Sequence, residues 1–333
     1  MMTVPAYAAT RVAVVATGRA LPARAWTNAD LIAARGLDST PDWIESRTGI
    51  LQRHIVSDGE STFTLARDAA RAALAKAGMP AHAVGVLVVA TCTPDYTFPS
   101  VAALVHAALG LPATAAVLDI NAACSGFVHA LAVAEGLLAA HTLDYALVIG
   151  AESFSNLVDW TDRGTCVLFG DGAGAVLLKK EAVSSGRGLL AYSLGADGTL
   201  APELSSTHGV AQGQRAGVVH MNGREVFRHA VRHMGDRAHA DALLARAGAT
   251  LADVDWLVPH QANIRILDAV AQDLAMPRDK VVITLDRHAN TSAASIPLAL
   301  DVAAEDGRLR PGHLLLLLAF GAGFVWSSAA LRW

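Results

Sequence analysis

The chain has 333 residues, 53% of them hydrophobic, enough for a large core and about two domains. A net charge of -4 gives no global basic surface, which argues against a nucleic-acid partner. The three cysteines, Cys92, Cys124 and Cys166, are odd in number and lack metal-ligand spacing, so free thiols in a reducing compartment are expected.

No basic segment followed by an apolar one opens the chain, and the apolar run 314–320 is too short to span a bilayer. A soluble, cytoplasmic protein without a membrane partner is expected. Residues 11–17 are apolar and β-branched and predict the first strand, with Asn28 placed to cap a helix from Ala29. In residues 41–50, Trp43 and Arg47 stand four apart. That spacing fits either an ordinary amphipathic turn or a flat cationic platform for a ligand. Residues 62–78 predict an alanine-rich helix closed by Gly78 and Pro80. Residues 84–91 are continuously apolar, as in a strand covered on both faces, and the loop 94–99 carries Phe98 before a helix over 100–109.

The apolar run 113–120 predicts a buried strand and 126–141 a buried helix, which puts Cys124 at a sharp strand-to-helix turn. Free backbone N–H groups and the helix dipole favour negative charge there, so the thiol is expected to have a lowered pKa and react as thiolate. A buried structural cysteine is the alternative. Residues 145–151 predict another strand. The glycines 170, 172 and 174 are followed by an apolar strand without a phosphate-loop lysine, which points to tight backbone packing.

Residues 179–217 are rich in Gly, Ser and charge and mark a boundary, giving units 1–180 and 181–333. Residues 225–248 predict a helical stretch in which Arg228 and Arg232 share a face, either solvated or a dock for an acidic partner. A strand over 254–259 leads to His260 at the opening of a helix. A strand over 281–284 precedes Asn290, and a helix then runs to about 306. Strands 313–320 and 324–332 flank a turn at 321–323. Strands alternating with helices predict an α/β class. Both halves end in strand, glycine turn, strand, and both carry a polar residue at a strand-to-helix turn, which suggests two similar halves.

Cys124, His260 and Asn290 all follow predicted strands, and such turns gather at one edge of the sheets. A thiolate can attack a thioester and hold the acyl group. The backbone at Cys124 and in the 321–323 turn, including Ala322, can supply the oxyanion hole. A neutral imidazole and an amide are both donors, and two donors on one thioester carbonyl stabilise an enolate. An aspartate at 290 could not donate while ionised. The set favours carbon–carbon bond formation after decarboxylation over hydrolysis.

At these residues the chain resembles β-ketoacyl-acyl-carrier-protein synthase III, the thiolase-fold enzyme that initiates type II fatty acid synthesis. The resemblance runs from about Val12 to the C-terminus. It rests on Ala-Cys-Ser-Gly-Phe at 123–127, His-Gln-Ala-Asn-Ile-Arg-Ile at 260–266 and His-Ala-Asn-Thr-Ser-Ala-Ala-Ser at 288–295, with further matches at 42–50 and 161–165. It implies a thiolase-like five-layered αβαβα fold of two duplicated halves, working as a homodimer. It implies Cys124 as nucleophile and His260 with Asn290 as the decarboxylation pair. Trp43 and Arg163 would sandwich the adenine of coenzyme A, with Arg47 near its phosphates. Gly223 and Asn263 would add contacts to the coenzyme. Arg265, with Arg228 and Arg232, would face the acyl carrier protein, and Phe98 would reach the acyl pocket across the dimer interface. The acyl-CoA is a substrate, and no resident cofactor or metal is implied.

The chain departs from the pattern at Gly321-Ala322-Gly323, where many members have three glycines, and at Arg224, where many have asparagine. Segment 201–217 also fits poorly. The expected reaction joins an acyl-CoA starter to malonyl-acyl carrier protein. Two rivals are a starter-unit ketosynthase or acyltransferase of polyketide metabolism, and a non-catalytic coenzyme A or carrier-protein binding module.

Overall fold

The computed structural model describes residues 10–209, 211 and 217–333, so part of the divergent segment 201–217 lies outside the described residues. The first half runs β1 (Thr10–Ala20), β2 (Ala25–Thr27), α1 (Asn28–Arg35), α2 (Pro41–Thr48), β3 (Gln52–His54), α3 (Thr62–Ala77), β4 (Val84–Ala90), α4 (Val101–Leu109), β5 (Ala116–Ile120), α5 (Gly126–Ala140), β6 (Tyr145–Glu152) and β7 (Gly172–Ala182). The second runs β8 (Gly188–Ala196), β9 (Leu204–Ser206), β10 (Val219–Met221), α6 (Gly223–Met234), α7 (Arg237–Arg246), β11 (Trp256–Pro259), α8 (Ile264–Asp273), α9 (Leu285–His288), α10 (Ser295–Glu305), β12 (Leu314–Gly321) and β13 (Val325–Arg332).

Two sheets repeat one plan. The first has the order β1-β7-β6-β4-β5, and the second, read the same way, β8-β13-β12-β11. In both, the first two pairings are antiparallel and the next parallel. The expected strand at 281–284 is reduced to one parallel bridge from Val281 to Leu257, at the place β5 occupies in the first sheet.

Alternation along the strands creates the layers. In β12, Leu315 and Leu317 face the middle of the molecule while Leu314, Leu316 and Leu318 face outward. Helices α5 and α10 fill the space between the sheets, α3 and α4 cover the outer face of the first, and α6, α7 and α8 that of the second. The result is five layers, αβαβα. Each leucine buried in β12 contributes about 1.5–3 kcal/mol of transfer free energy. Helix α5, with the turn before it, is apolar enough to pass for a membrane span by composition; here its apolarity serves packing between two sheets.

Of the glycines at 170, 172 and 174, Gly170 and Gly174 pack against backbone, as expected, while Gly172 faces leucine side chains. A Cβ on Gly174 would lie 2.6 Å from the Leu298 nitrogen, so the glycine lets β7 and α10 approach closely there.

Several local expectations change. Thr27, not Asn28, caps α1: its extended backbone lets the hydroxyl accept from Asp30 N–H while the Asp30 carboxylate accepts back. Asn28 is buried, donating to the Ile50 carbonyl. The stretch 225–248 is two helices, because α6 ends at Gly235 and the Asp236 side chain caps α7. Residues 163–168 form turns, so the first half lacks the expected strand before its glycine turn. Strand β5 is shorter than 113–120 and only half-buried, since it lies at a sheet edge.

Candidate active site

A cavity of about 920 Å³ opens at the ends of the parallel strands. Cys124, His260 and Asn290 all line it, with Trp43, Arg47, Gly223, Asn263, Arg265 and Ala322. Phe98, Arg163, Arg228 and Arg232 do not.

Cys124 sits in the turn between β5 and α5, after Ala123 at a φ of 47°. The end of β12 presses on this turn: a Cβ on Gly321 would lie 2.7 Å from the Cys124 nitrogen. A side chain at 321 would therefore displace the nucleophile, whereas Ala322 lines the cavity and keeps its N–H. The expected lowering of the thiol pKa is not what the surroundings produce. Burial pushes Cys124 up to about 12, with the Ser292 hydroxyl working against the rise and the Glu152 charge adding to it. The resting thiol is neutral, so its proton must leave during attack.

His260 follows β11 directly rather than opening a helix. Helix α8 begins later, at Ile264, where the Asn263 side chain accepts from Arg265 N–H. His260 is 2% exposed, and burial alone drives its pKa down to about 3. It is neutral at any physiological pH. Its Nδ1 lies 2.7 Å from Ser295 Oγ, which also accepts the Gln261 N–H at 3.3 Å. Ser295 thus engages Nδ1 and leaves Nε2 as the ring nitrogen available to a substrate.

Asn290 lies between α9 and α10. Its backbone bridges to Phe169, which ties the second half to the first. Its Oδ1 accepts the Ser292 N–H at 2.9 Å, so Nδ2 is left as a donor. Neither Ser295 nor Ser292 was singled out from the sequence, although both stand in the 288–295 motif. Their signal is polar residues at positions that turn out to be fully buried.

At the mouth, the Arg163 guanidinium lies 5.2 Å from the Trp43 ring centre and donates to the Asp38 carbonyl at 2.6 Å. Arg47 stands 6.0 Å from the same ring. An inserted purine needs about 7 Å, two van der Waals gaps, so Arg163 must swing outward to admit one. Asn263 donates to the Arg47 carbonyl at 3.2 Å, joining α8 to α2. Arg228 pairs with Glu225, while Arg232 and Arg265 are exposed and have no ion-pair partner among the described residues. Arg224 is likewise exposed in the first turn of α6. Phe98 is 84% exposed on its loop, away from the cavity of its own chain.

Comparison with known proteins agrees with this architecture. Residues 118–198 match the 3-oxoacyl-[acyl-carrier-protein] synthase III family and residues 244–333 its C-terminal family. The chain is 50% identical over 323 residues to the β-ketoacyl-[acyl-carrier-protein] synthase III of Rhizorhabdus wittichii, covering 97% of this chain and 99% of that one. It is 50% identical over 330 residues to that of Bordetella petrii, covering 98% and 99%. Its structure superposes on the Thermus thermophilus synthase III crystal structure with a TM-score of 0.89 at 42% identity, covering 96% of this chain and 99% of that one. A priming β-ketosynthase from a polyketide pathway superposes with a TM-score of 0.90 at 33% identity, covering 97% and 96%. With its five layers, its duplicated halves and 50% identity over nearly its whole length to two synthase III relatives, the chain belongs to the β-ketoacyl-[acyl-carrier-protein] synthase III family.

Proposed function

We propose that the site carries out a decarboxylative condensation in two half-reactions, with residues in named roles. Cys124 takes an acyl group from a short acyl-CoA such as acetyl-CoA, forming an acyl-thioester while the Cys124 and Ala322 N–H groups hold the oxyanion. Malonyl-acyl carrier protein then enters, and His260 Nε2–H and Asn290 Nδ2–H hold its thioester carbonyl. Loss of carbon dioxide leaves an enolate on those donors, which attacks the acyl group. A β-ketoacyl-acyl carrier protein leaves, and fatty acid synthesis has its first condensation.

The observation that carries this reading is the convergence of one thiol and two neutral donors on one cavity. A hydrolase would need a basic histidine to activate water, and burial keeps His260 from protonation. Coenzyme A would lie along Trp43, Arg163 and Arg47 with Gly223 and Asn263 beside its arm. Arg265 and Arg232, with Arg228, would meet the acidic carrier protein. The coenzyme A thioester is a substrate, and no resident cofactor enters the scheme.

The chain would divide near residues 180 and 181 into a half carrying the nucleophile and a half carrying His260 and Asn290. A homodimer in the cytoplasm is the assembly and place we infer. The half-buried edge strand β5, unpaired on its outer side among the described residues, and the exposed Phe98 both call for cover. The test is intact mass after incubation with acetyl-CoA, then product analysis with malonyl-acyl carrier protein. An acetyl adduct on Cys124, absent from Cys124→Ser, and a β-ketoacyl product are expected. A wild-type chain that never acquires the adduct would overturn the reading.

A further inference from the structure

Strand β6 is buried from Ala146 onward, and its last residue is Glu152, which is 0% exposed. A buried carboxylate without a counter-ion is costly. No ion pair reaches Glu152 among the described residues. It accepts from Thr93 Oγ1 at 2.6 Å, from Thr91 Oγ1 at 3.3 Å and from the Cys92 N–H at 3.1 Å to both oxygens. The titratable groups that face it are two thiols, Cys92 and Cys124.

The 292–294 turn packs against both β6 and the nucleophile turn. A Cβ on Gly150 would lie 2.2 Å from the Ala293 carbonyl oxygen, so nothing separates the two. Ser292 heads that turn at a φ of 49°, in the left-handed region that non-glycine residues seldom adopt. It is 0% exposed, and its hydroxyl completes no hydrogen bond among the described residues. It nevertheless lies close enough to the Cys124 thiol and the Glu152 carboxyl to favour the anion of each. A strained, unpartnered hydroxyl thus stands between a neutral thiol and an unpaired carboxyl group.

We propose that Glu152 stores the proton of the nucleophile, with Ser292 as the carrier between them. The proposal rests on the acyl-thioester reading of the site. As Cys124 attacks, its S–H bond breaks and the proton passes to Ser292 Oγ, while the Ser292 proton passes to the Glu152 carboxylate. The new S–C bond forms as the thioester C–S bond to coenzyme A breaks. The departing thiolate is protonated back along the same path, so no proton is gained or lost. The rival acceptor is His260, which burial holds at about 3, whereas burial raises Glu152 to about 7. That gap favours the carboxylate on the order of ten-thousandfold. The transfer also leaves one negative charge in the site instead of two adjacent ones. Glu152 does not line the cavity, so it is a positioning residue acting through Ser292.

The test is the rate of Cys124 alkylation by iodoacetamide, located by peptide mass, between about pH 5.5 and 9.5. In wild type the rate should rise to near neutrality and then level off, because the carboxylate, once ionised, takes the thiol proton within the attack itself, a route that needs no free thiolate. In Glu152→Gln the plateau should vanish and the rate climb about tenfold per pH unit. Acylation by acetyl-CoA at neutral pH should fall at least tenfold, and Glu152→Asp should restore part of both. A plateau that persists in Glu152→Gln, or is missing from wild type, overturns the proposal. If Glu152→Gln does not fold, Ser292→Ala decides: a tenfold slower acylation supports the relay, and an unchanged rate overturns it. Alkylation needs no acyl-CoA. A chain alkylated with the plateau but never acylated would sink the thioester reading and leave the relay standing.

Discussion

His260 and Ser295, 35 residues apart in the chain, meet at 2.7 Å between the imidazole Nδ1 and the serine hydroxyl. The serine engages Nδ1, and the hydrogen bond made there sets which ring nitrogen carries the hydrogen. Ser295→Ala should leave Cys124 acylation within a few-fold of wild type while decarboxylation of malonyl-acyl carrier protein falls roughly ten- to a hundredfold. Equal losses in both half-reactions would show that Ser295 serves only packing.

Asn290 can be tested by the same pairing. Its Oδ1 is held by the Ser292 N–H, so Nδ2 is the group that matters. Asn290→Ala should cost decarboxylation on the order of a hundred- to a thousandfold and spare acylation. Asn290→Asp should be no better, because a carboxylate repels the developing enolate and raises the pKa of His260. Loss of both half-reactions in Asn290→Ala would mean that the residue holds the site together.

Two buried groups, His260 and Glu152, give opposite pH effects on stability. His260 falls to about 3 in the folded chain, so below its usual range the unfolded chain binds more protons. Its contribution is present above about pH 6.5 and is lost as pH falls toward 3. Glu152 rises to about 7, so the folded chain binds more protons above pH 4.5, and its contribution is lost as pH rises through 7. Melting temperature should therefore decline on the acid side less steeply in His260→Gln, and on the alkaline side less steeply in Glu152→Gln. Calorimetric scans across pH check both, and parallel curves for wild type and variant would refute the assignment.

Arg163 must part from Trp43 before a purine can enter. Arg163→Ala removes both the barrier and one face of the sandwich, and stacking of this kind is worth about 0.5–2 kcal/mol. KM for acetyl-CoA should rise roughly two- to thirtyfold with kcat nearly unchanged. A fall in kcat alone would place Arg163 outside coenzyme binding.

The carrier-protein face makes a graded prediction. Arg232 and Arg265 are exposed without ion pairs among the described residues, whereas Arg228 is already held by Glu225. Charge reversal at Arg265 or Arg232 should raise KM for malonyl-acyl carrier protein and flatten its salt dependence, with a smaller effect at Arg228. Acylation by acetyl-CoA should stay near normal. If it falls equally, the arginines serve the coenzyme or the fold.

By itself the sequence determined the α/β alternation, the duplication, the position of Cys124 at a tight turn and the three polar turns, at Cys124, His260 and Asn290, that the fold brings to one cavity. These follow from local rules: hydrophobic period, glycine and proline punctuation, and short motifs whose neighbours lie within a few residues. Tertiary structure alone decided the charge states. The thiol, expected to be acidic at a helix start, is raised to about 12 because the surrounding layers exclude water. It also decided the pairs. Ser295 on His260, Ser292 beside Cys124, and Glu152 behind both come from separate layers, and no spacing in the chain announces them. The expected strand at 281–284 became a single bridge, since pairing depends on what lies alongside. Burial and long-range juxtaposition are properties of the packed layers, and only the packing could assign them.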